Sequence, residues 1–316
     1  MKSLIVLLPI IVFLGCSTKM QKEYILDEKD LVPEGIAYSE NKDAFYLTSV
    51  AKSKIIELDK NTGKQTDFIK EHESGYSPGA GIYVDDERNL LHAIGGYFRM
   101  SDSLSSLFTF DLNTKKLLRR YNVTDGGEHF LNDMIKDRKG NIYLTDTKGA
   151  SIYVLRQDND SLELFYKSPE IESPNGIAIS DDNTKLFIAS NPKGVRILDI
   201  STKNILNDRD TLGISQGIDG LEFYKNHLYA IQNTVEANTF NFRKLVLNQT
   251  QDKLIDVEVI DSHSPILNVP LTFCLVGNKA VVIGNSNLQY LNQENFKFPN
   301  ADTIPNTKLI VYQLND

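Results

Sequence analysis

Six motifs, each opening a short apolar run, recur along the chain at Glu34, Ala80, Asn132, Asn175, Asp219 and Thr272, at intervals of 46, 52, 43, 44 and 53 residues. That period is the length of a four-stranded propeller blade. Two kinds of turn repeat in phase with it. Glu40-Asn-Lys-Asp43 recurs as Val84–Asn89, Lys136–Asn141 and Ser180–Lys185, and Lys60-Asn-Thr-Gly63 recurs as Asp111–Lys116 and Asp199–Lys203. Between the turns lie strand-like runs rich in Ile, Val, Leu, Tyr and Phe, and no useful helical periodicity appears. The expected fold is therefore all-β, a six-bladed β-propeller.

Such a ring must close. Lys22–Leu26 is a lone strand before the first unit, while the last unit shows only three strands, near Thr272–Val276, Lys279–Gly284 and Thr307–Leu314. The N-terminal strand is expected to fill the gap, so that residues 22–316 form one domain without open sheet edges. The WD type is disfavoured, because the chain contains no Trp.

The segment before the domain is a separate matter. Lys2, the apolar stretch Leu4–Leu14 and Gly15-Cys16 read as a lipoprotein signal peptide over residues 1–15. The apolar stretch is too short to span a bilayer. Cys16 would be the lipidated first residue and residues 16–21 a linker, giving an exported, lipid-anchored, periplasm-facing protein; an ordinary cleaved secretory peptide is the alternative. Removing Lys2 leaves 33 basic against 42 acidic residues, with no Lys/Arg run to follow a phosphate backbone, so nucleic acid is not an expected partner. Cys274 is then the one remaining thiol, expected to be a packing residue in an apolar strand.

Residues at equivalent positions of radial repeats point at the shared axis. Glu34, Asn132, Asn175 and Asp219 would bring two carboxylates and two amides to one point, while Ala80 and Thr272 fill the other two slots with weak ligands or none. Taken singly, Asn-Gly and Asp-Gly are ordinary turn dipeptides. The weight lies in four polar residues held in register. Two converging carboxylates repel unless a cation lies between them, and an all-oxygen set without histidine suits calcium better than zinc, other divalent cations remaining open. Four protein oxygens leave coordination positions for water or substrate. Long loops expected at Gly95–Ser105, Gln232–Phe242 and Asn285–Asn306 would wall a pocket above them.

Pro33-Glu34-Gly35-Ile36, Asn132-Asp133 with Gly140–Thr147, Ser173-Pro-Asn175-Gly-Ile-Ala178 and Asp219-Gly220-Leu221 resemble the senescence marker protein (regucalcin)/gluconolactonase family, to which arylesterases and diisopropyl fluorophosphatases are similar propellers. The resemblance covers essentially the whole chain after the leader. It implies a six-bladed calcium-type propeller that hydrolyses lactones, esters or phosphoesters. In such enzymes the residue matching Asp219 is a metal ligand assigned the base or nucleophile role, and the one matching Asn132 contacts metal and substrate. Sugar-lactonase members carry an Arg two residues before that Asn; here the position is Phe130, which suits a less polar substrate. Tyr97 and Arg99 are candidate replacements for it. His129 is a candidate for substrate contact or, alternatively, a surface loop histidine. The rival to a metal-dependent lactone or ester hydrolase is a non-catalytic propeller that binds a ligand or partner, its metal site structural.

Overall fold

The β-branched and aromatic runs become antiparallel strands wherever an Asx turn reverses the chain. Asp59, Asp111 and Asp199 show the mechanism three times. Each carboxylate accepts from the backbone N–H groups two and three residues on, and from the hydroxyl of Thr62, Thr114 or Thr202, at 2.7–3.0 Å. The side chain thus supplies acceptors that the reversed backbone lacks.

The computed structural model describes residues 22–96, 105–234, 239–262, 264–292 and 294–315. The expected leader with Cys16 and the blade-two candidates Tyr97 and Arg99 lie outside these residues. The strands run in chain order as β1 (Lys22–Ile25); β2 (Pro33–Ser39), β3 (Ala44–Ser49), β4 (Ile55–Asp59) and β5 (Gln65–Ile69) in the first blade; β6 (Gly79–Asp85), β7 (Leu90–Gly95), β8 (Ser106–Asp111) and β9 (Leu117–Asn122) in the second; and β10 (Leu131–Lys136), β11 (Ile142–Asp146), β12 (Ser151–Leu155) and β13 (Leu162–Lys167) in the third. The fourth blade holds β14 (Pro174–Ile179), β15 (Lys185–Ser190) and β16 (Gly194–Asp199), and the fifth β17 (Ile218–Tyr224), β18 (His227–Thr234), β19 (Thr239–Leu247) and β20 (Leu254–Ser262). In the sixth, β21 (Phe273–Val276), β22 (Lys279–Ile283) and β23 (Lys308–Gln313) are completed by β1, in the order β1-β23-β22-β21. The innermost strands touch in a closed cycle, β2 to β6, β10, β14, β17, β21 and back to β2. This is a six-bladed β-propeller closed by its N-terminal strand.

Each seam between neighbouring blades carries its own apolar cluster. Six clusters, rather than one central core, hold the disc together. The closing seam packs Tyr24, Leu26 and Leu31 against Phe45, Leu47, Val281 and Leu309. Leu26 is fully buried, its N–H donating to the Thr307 carbonyl at 2.9 Å. Leu26→Ala should therefore lower the unfolding free energy by about 2–5 kcal/mol, the range for a buried leucine that leaves a cavity, read as a reduced denaturant midpoint. A loss under roughly 1 kcal/mol would mean the clasp contributes little to closure.

Two features differ from the repeat pattern. Blade four has only three strands; beyond β16 the Asn207 amide donates to the Val195 carbonyl and accepts from Ile197 N–H, both at 2.8 Å, and Leu206 N–H donates to the Ile197 carbonyl. One side chain thus caps an edge that would otherwise recruit another strand. Also, Gln232–Phe242 is not a long loop: β18 and β19 stay paired out to Thr234 opposite Thr239. Its polar residues read as a loop because Gln232, Asn233 and Asn241 lack the alternation that marks a half-buried strand.

Candidate metal centre and the cup above it

In five blades the innermost strand slips register at one place, between Pro33 and Ile36, Gly79 and Ile82, Leu131 and Met134, Pro174 and Ile177, and Ile218 and Leu221. Such bulges re-aim a side chain out of the pleat. Glu34, Ala80, Asn132, Asn175 and Asp219 sit in them. The residue after the ligand is commonly glycine because the next inner strand comes so close. A Cβ on Gly35 would lie 2.4 Å from the Ala80 carbonyl oxygen, and one on Gly176 2.2 Å from that of Asp219.

The structure brings the four predicted residues together. Glu34, Asn132, Asn175 and Asp219 line both a channel of about 240 Å³ through the disc and a cup of about 330 Å³ on one face, so they form the partition between the two. Asn132 donates its amide Nδ2 to Thr147 Oγ1 at 3.0 Å, and Thr147 in turn donates to the Pro174 carbonyl at 2.7 Å. This fixes the amide with its carbonyl oxygen as the remaining end. Asp219 Oδ2 accepts from Asn233 Nδ2 at 2.6 Å, and Asn233 also donates to the Pro270 carbonyl. Asn175 donates to the Asp219 carboxylate as well.

Burial raises the pKa of Glu34, and the charges of Asp219 and Asp133 raise it further. Burial likewise raises Asp219, against the two asparagine hydrogen bonds that favour its ionised form. Among the described residues neither carboxylate has a cationic partner within the site. Among the described residues no group of three or more His, Cys, Asp or Glu has metal-binding geometry; the set here is two carboxylates and two amides. Its chemistry fits a hard, oxygen-seeking dication, which would neutralise the two carboxylates that protein groups leave uncompensated.

Sequence reasoning missed two carboxylates in the channel. Asp133 stands where four of the other blades have glycine, and its carboxylate accepts from Met134 N–H at 2.8 Å and from Ile177 N–H of the next blade at 3.2 Å; burial still lifts it to about 6. Glu222 is lifted to about 8, first by burial and then by Asp133. Both lie on the channel side and not in the cup. The available signal was an acidic residue inside an otherwise apolar inner strand. Cys274, buried in β21, also lines the channel, and burial pushes its thiol well up.

Phe130 lines the cup. His129 does not, and it is no surface residue either: it is 6% exposed and clamped between Asp146, 2.7 Å from Nδ1, and Asp125, 2.5 Å from Nε2. The carboxylates raise its pKa against the effect of burial, and Asp146 also accepts from Phe130 N–H at 2.8 Å. The clamp holds the segment that leads into Asn132.

The sequence matches the family model described as the SMP-30/Gluconolactonase/LRE-like region over residues 32–224. No curated protein matches it. Among solved structures, a regucalcin from Agrobacterium tumefaciens described as a calcium-binding protein superposes with a TM-score of 0.64 at 15% identity, covering 94% of this chain and 96% of that one. A gluconolactonase from Xanthomonas campestris gives 0.61 at 15% identity, with 91% and 87% covered. Virginiamycin B lyase from Staphylococcus aureus gives 0.57 at 13% identity, with 84% and 82% covered. At such identities these likenesses speak for the fold alone. The family match spans more than half of the chain and takes in Glu34, Asn132, Asn175 and Asp219, and on that ground the chain belongs to the SMP-30/gluconolactonase family.

Proposed function

We propose that the protein is a calcium-dependent hydrolase of lactones or related esters, exported and held at a membrane through Cys16. The observation that carries the catalytic reading is the convergence of Glu34, Asn132, Asn175 and Asp219 at the floor of a cup that opens to solvent. The location rests on the leader pattern ending at Gly15-Cys16. Family membership and the gluconolactonase and regucalcin likenesses point the same way.

Glu34, Asn132, Asn175 and Asp219 would hold the ion through their side-chain oxygens. Bound there, it supplies Lewis-acid polarisation of the ester carbonyl. The chain's own residues do the rest. Asn233 and Asn175 fix the Asp219 carboxylate against rotation. Asp219 takes a proton from water as the water oxygen bonds to the carbonyl carbon; the bond from that carbon to the ring oxygen then breaks, and the proton passes to the ring oxygen. Lactone and water give one hydroxy acid, with no other co-reactant. Thr147 keeps Asn132 oriented throughout.

Stripping the protein with chelator should lower hydrolysis of a lactone and ester panel by roughly 100-fold or more, the loss expected when a catalytic Lewis acid goes, and calcium should restore it. Metal-independent turnover, or none on any substrate, would sink the reading. A melting temperature that falls on chelation without any turnover would instead favour the non-catalytic propeller with a structural metal.

A further inference from the structure

We infer that the cup selects substrates whose acyl or ring portion is an alkyl or aryl group, and that it disfavours polyhydroxylated sugar lactones. The inference rests on the hydrolase reading above and names its substrate class. Among the described residues, every polar side chain that meets the cup lies at the floor: the four ligand candidates and Asn233. The walls contribute Phe130, Val269, Leu271, Leu288, Leu291 and Phe296, with small residues between them.

The wall backbone is committed as well. Gly96 N–H donates to the Pro78 carbonyl, Phe130 N–H to Asp146, and the Phe130 carbonyl accepts from Thr147 N–H. The Ala80 carbonyl accepts from Thr48 Oγ1, the Leu271 carbonyl from Gly220 N–H, and the Val269 carbonyl from both the N–H and the hydroxyl of Ser286. A ligand therefore meets mostly carbon along the described walls, with the polar side chains gathered at the base. Sugar hydroxyls pressed against the walls would give up water without replacement, at about tenfold or more in affinity each.

The leucine wall is built rather than incidental. It belongs to the segment between β22 and β23, which starts from three buried polar residues, Asn285, Ser286 and Asn287. Asn287 donates to the carbonyls of Lys29 and Pro305 at 3.1 and 2.8 Å, and Asn285 donates to that of Asn306. These bonds hold Leu288 and Leu291 over the cup while satisfying the segment's own polar groups.

The test uses the full calcium-loaded protein with γ-butyrolactone, γ-octalactone, γ-dodecalactone and glucono-1,5-lactone. Burying a methylene is worth up to roughly fourfold in kcat/KM, so γ-octalactone should exceed γ-butyrolactone by about 30-fold or more, with the sugar lactone below both. Leu288→Asn, at a half-buried position that tolerates polarity, should cost about tenfold more on γ-dodecalactone than on γ-butyrolactone. A flat series, preference for the sugar lactone, or an unchanged slope in Leu288→Asn would overturn the inference while leaving the hydrolase intact. If no lactone opens, the hydrolase reading falls and calorimetry decides the cup: tighter binding of γ-octalactam than of gluconolactam supports the inference, and equal or reversed binding overturns it.

Discussion

Asp219→Asn is expected to reduce kcat/KM for lactone hydrolysis by roughly 10³-fold or more, within the range for removing a catalytic base, while raising the melting temperature of the metal-stripped protein. The two effects share one origin. Asp219 is buried, and the hydrogen bonds from Asn233 and Asn175 only partly offset the loss of water around its charge, so the ionised form is unfavourable until a cation arrives. The amide keeps the side chain's size and one acceptor oxygen for Asn233, and it removes both the charge and the proton acceptor. Calcium affinity should fall about tenfold or more, since a ligand is at least as sensitive as the groups that orient ligands. Kinetics, calorimetric titration and thermal melting on one preparation check all three. A variant that keeps more than about a tenth of the activity would remove Asp219 from the chemistry.

The metal-stripped protein should lose stability steadily between pH 5 and pH 8. The sign follows from linkage. Glu34 and Asp219 have native pKa values raised above their ordinary 4.5 and 3.8, with Asp133 raised to about 6 and Glu222 to about 8. Across that window the native state holds protons that the unfolded chain has released, so unfolding gains ground as pH rises. The opposite trend comes in acid from Asp43, Asp125 and Asp182, held at about 2, and up to about pH 6.5 from His92, which burial lowers to about 4; the four raised carboxylates outweigh it. His129, its pKa raised above 6.5, adds stability that is also lost as pH rises through the native value.

Calcium separates these contributions. It binds ionised carboxylates, so it should abolish the Glu34 and Asp219 part and leave those of Asp133, Glu222 and His129. At 100 times its dissociation constant it adds about 2.7 kcal/mol. Melting at pH 5, 6.5 and 8 should show the stripped protein falling by about 5 °C or more, with the calcium form falling clearly less. A stripped protein that melts higher at pH 8 than at pH 5 would mean the two carboxylates find compensation within the protein.

The ring and its axial residues were legible because each repeat carries several independent marks. A polar residue, a glycine and an apolar pair sit at the bulge, and Asx turns follow in phase. All of that chemistry is local, and Glu34-Gly35 or Asn175-Gly176 carries it in two residues. What escaped notice depends on distant neighbours. His129 reads as a loop residue until Asp146, 17 positions on, folds back against it. Asp133 reads as the second half of an Asn-Asp pair, yet it acts as the peg that joins the third blade to Ile177 of the fourth. Glu222 lies three residues beyond Asp219 on the same strand, but only the closed ring gives that strand a channel to face. The β18–β19 extension was misread for a different reason. It carries polar residues on both faces, so the alternation that betrays a strand is missing.

The six seams have a mechanical consequence. A disc joined only side to side behaves as a hoop: slack anywhere is slack everywhere, and each spoke is positioned by the tightness of the whole circumference. Glu34 hangs from the first spoke, next to the clasp of β1 on β23, while Asn132, Asn175 and Asp219 hang from the third, fourth and fifth. A loosened clasp would therefore be felt at the hub first as Glu34 drifting from the other three, so that the grip on an ion registers the integrity of the rim.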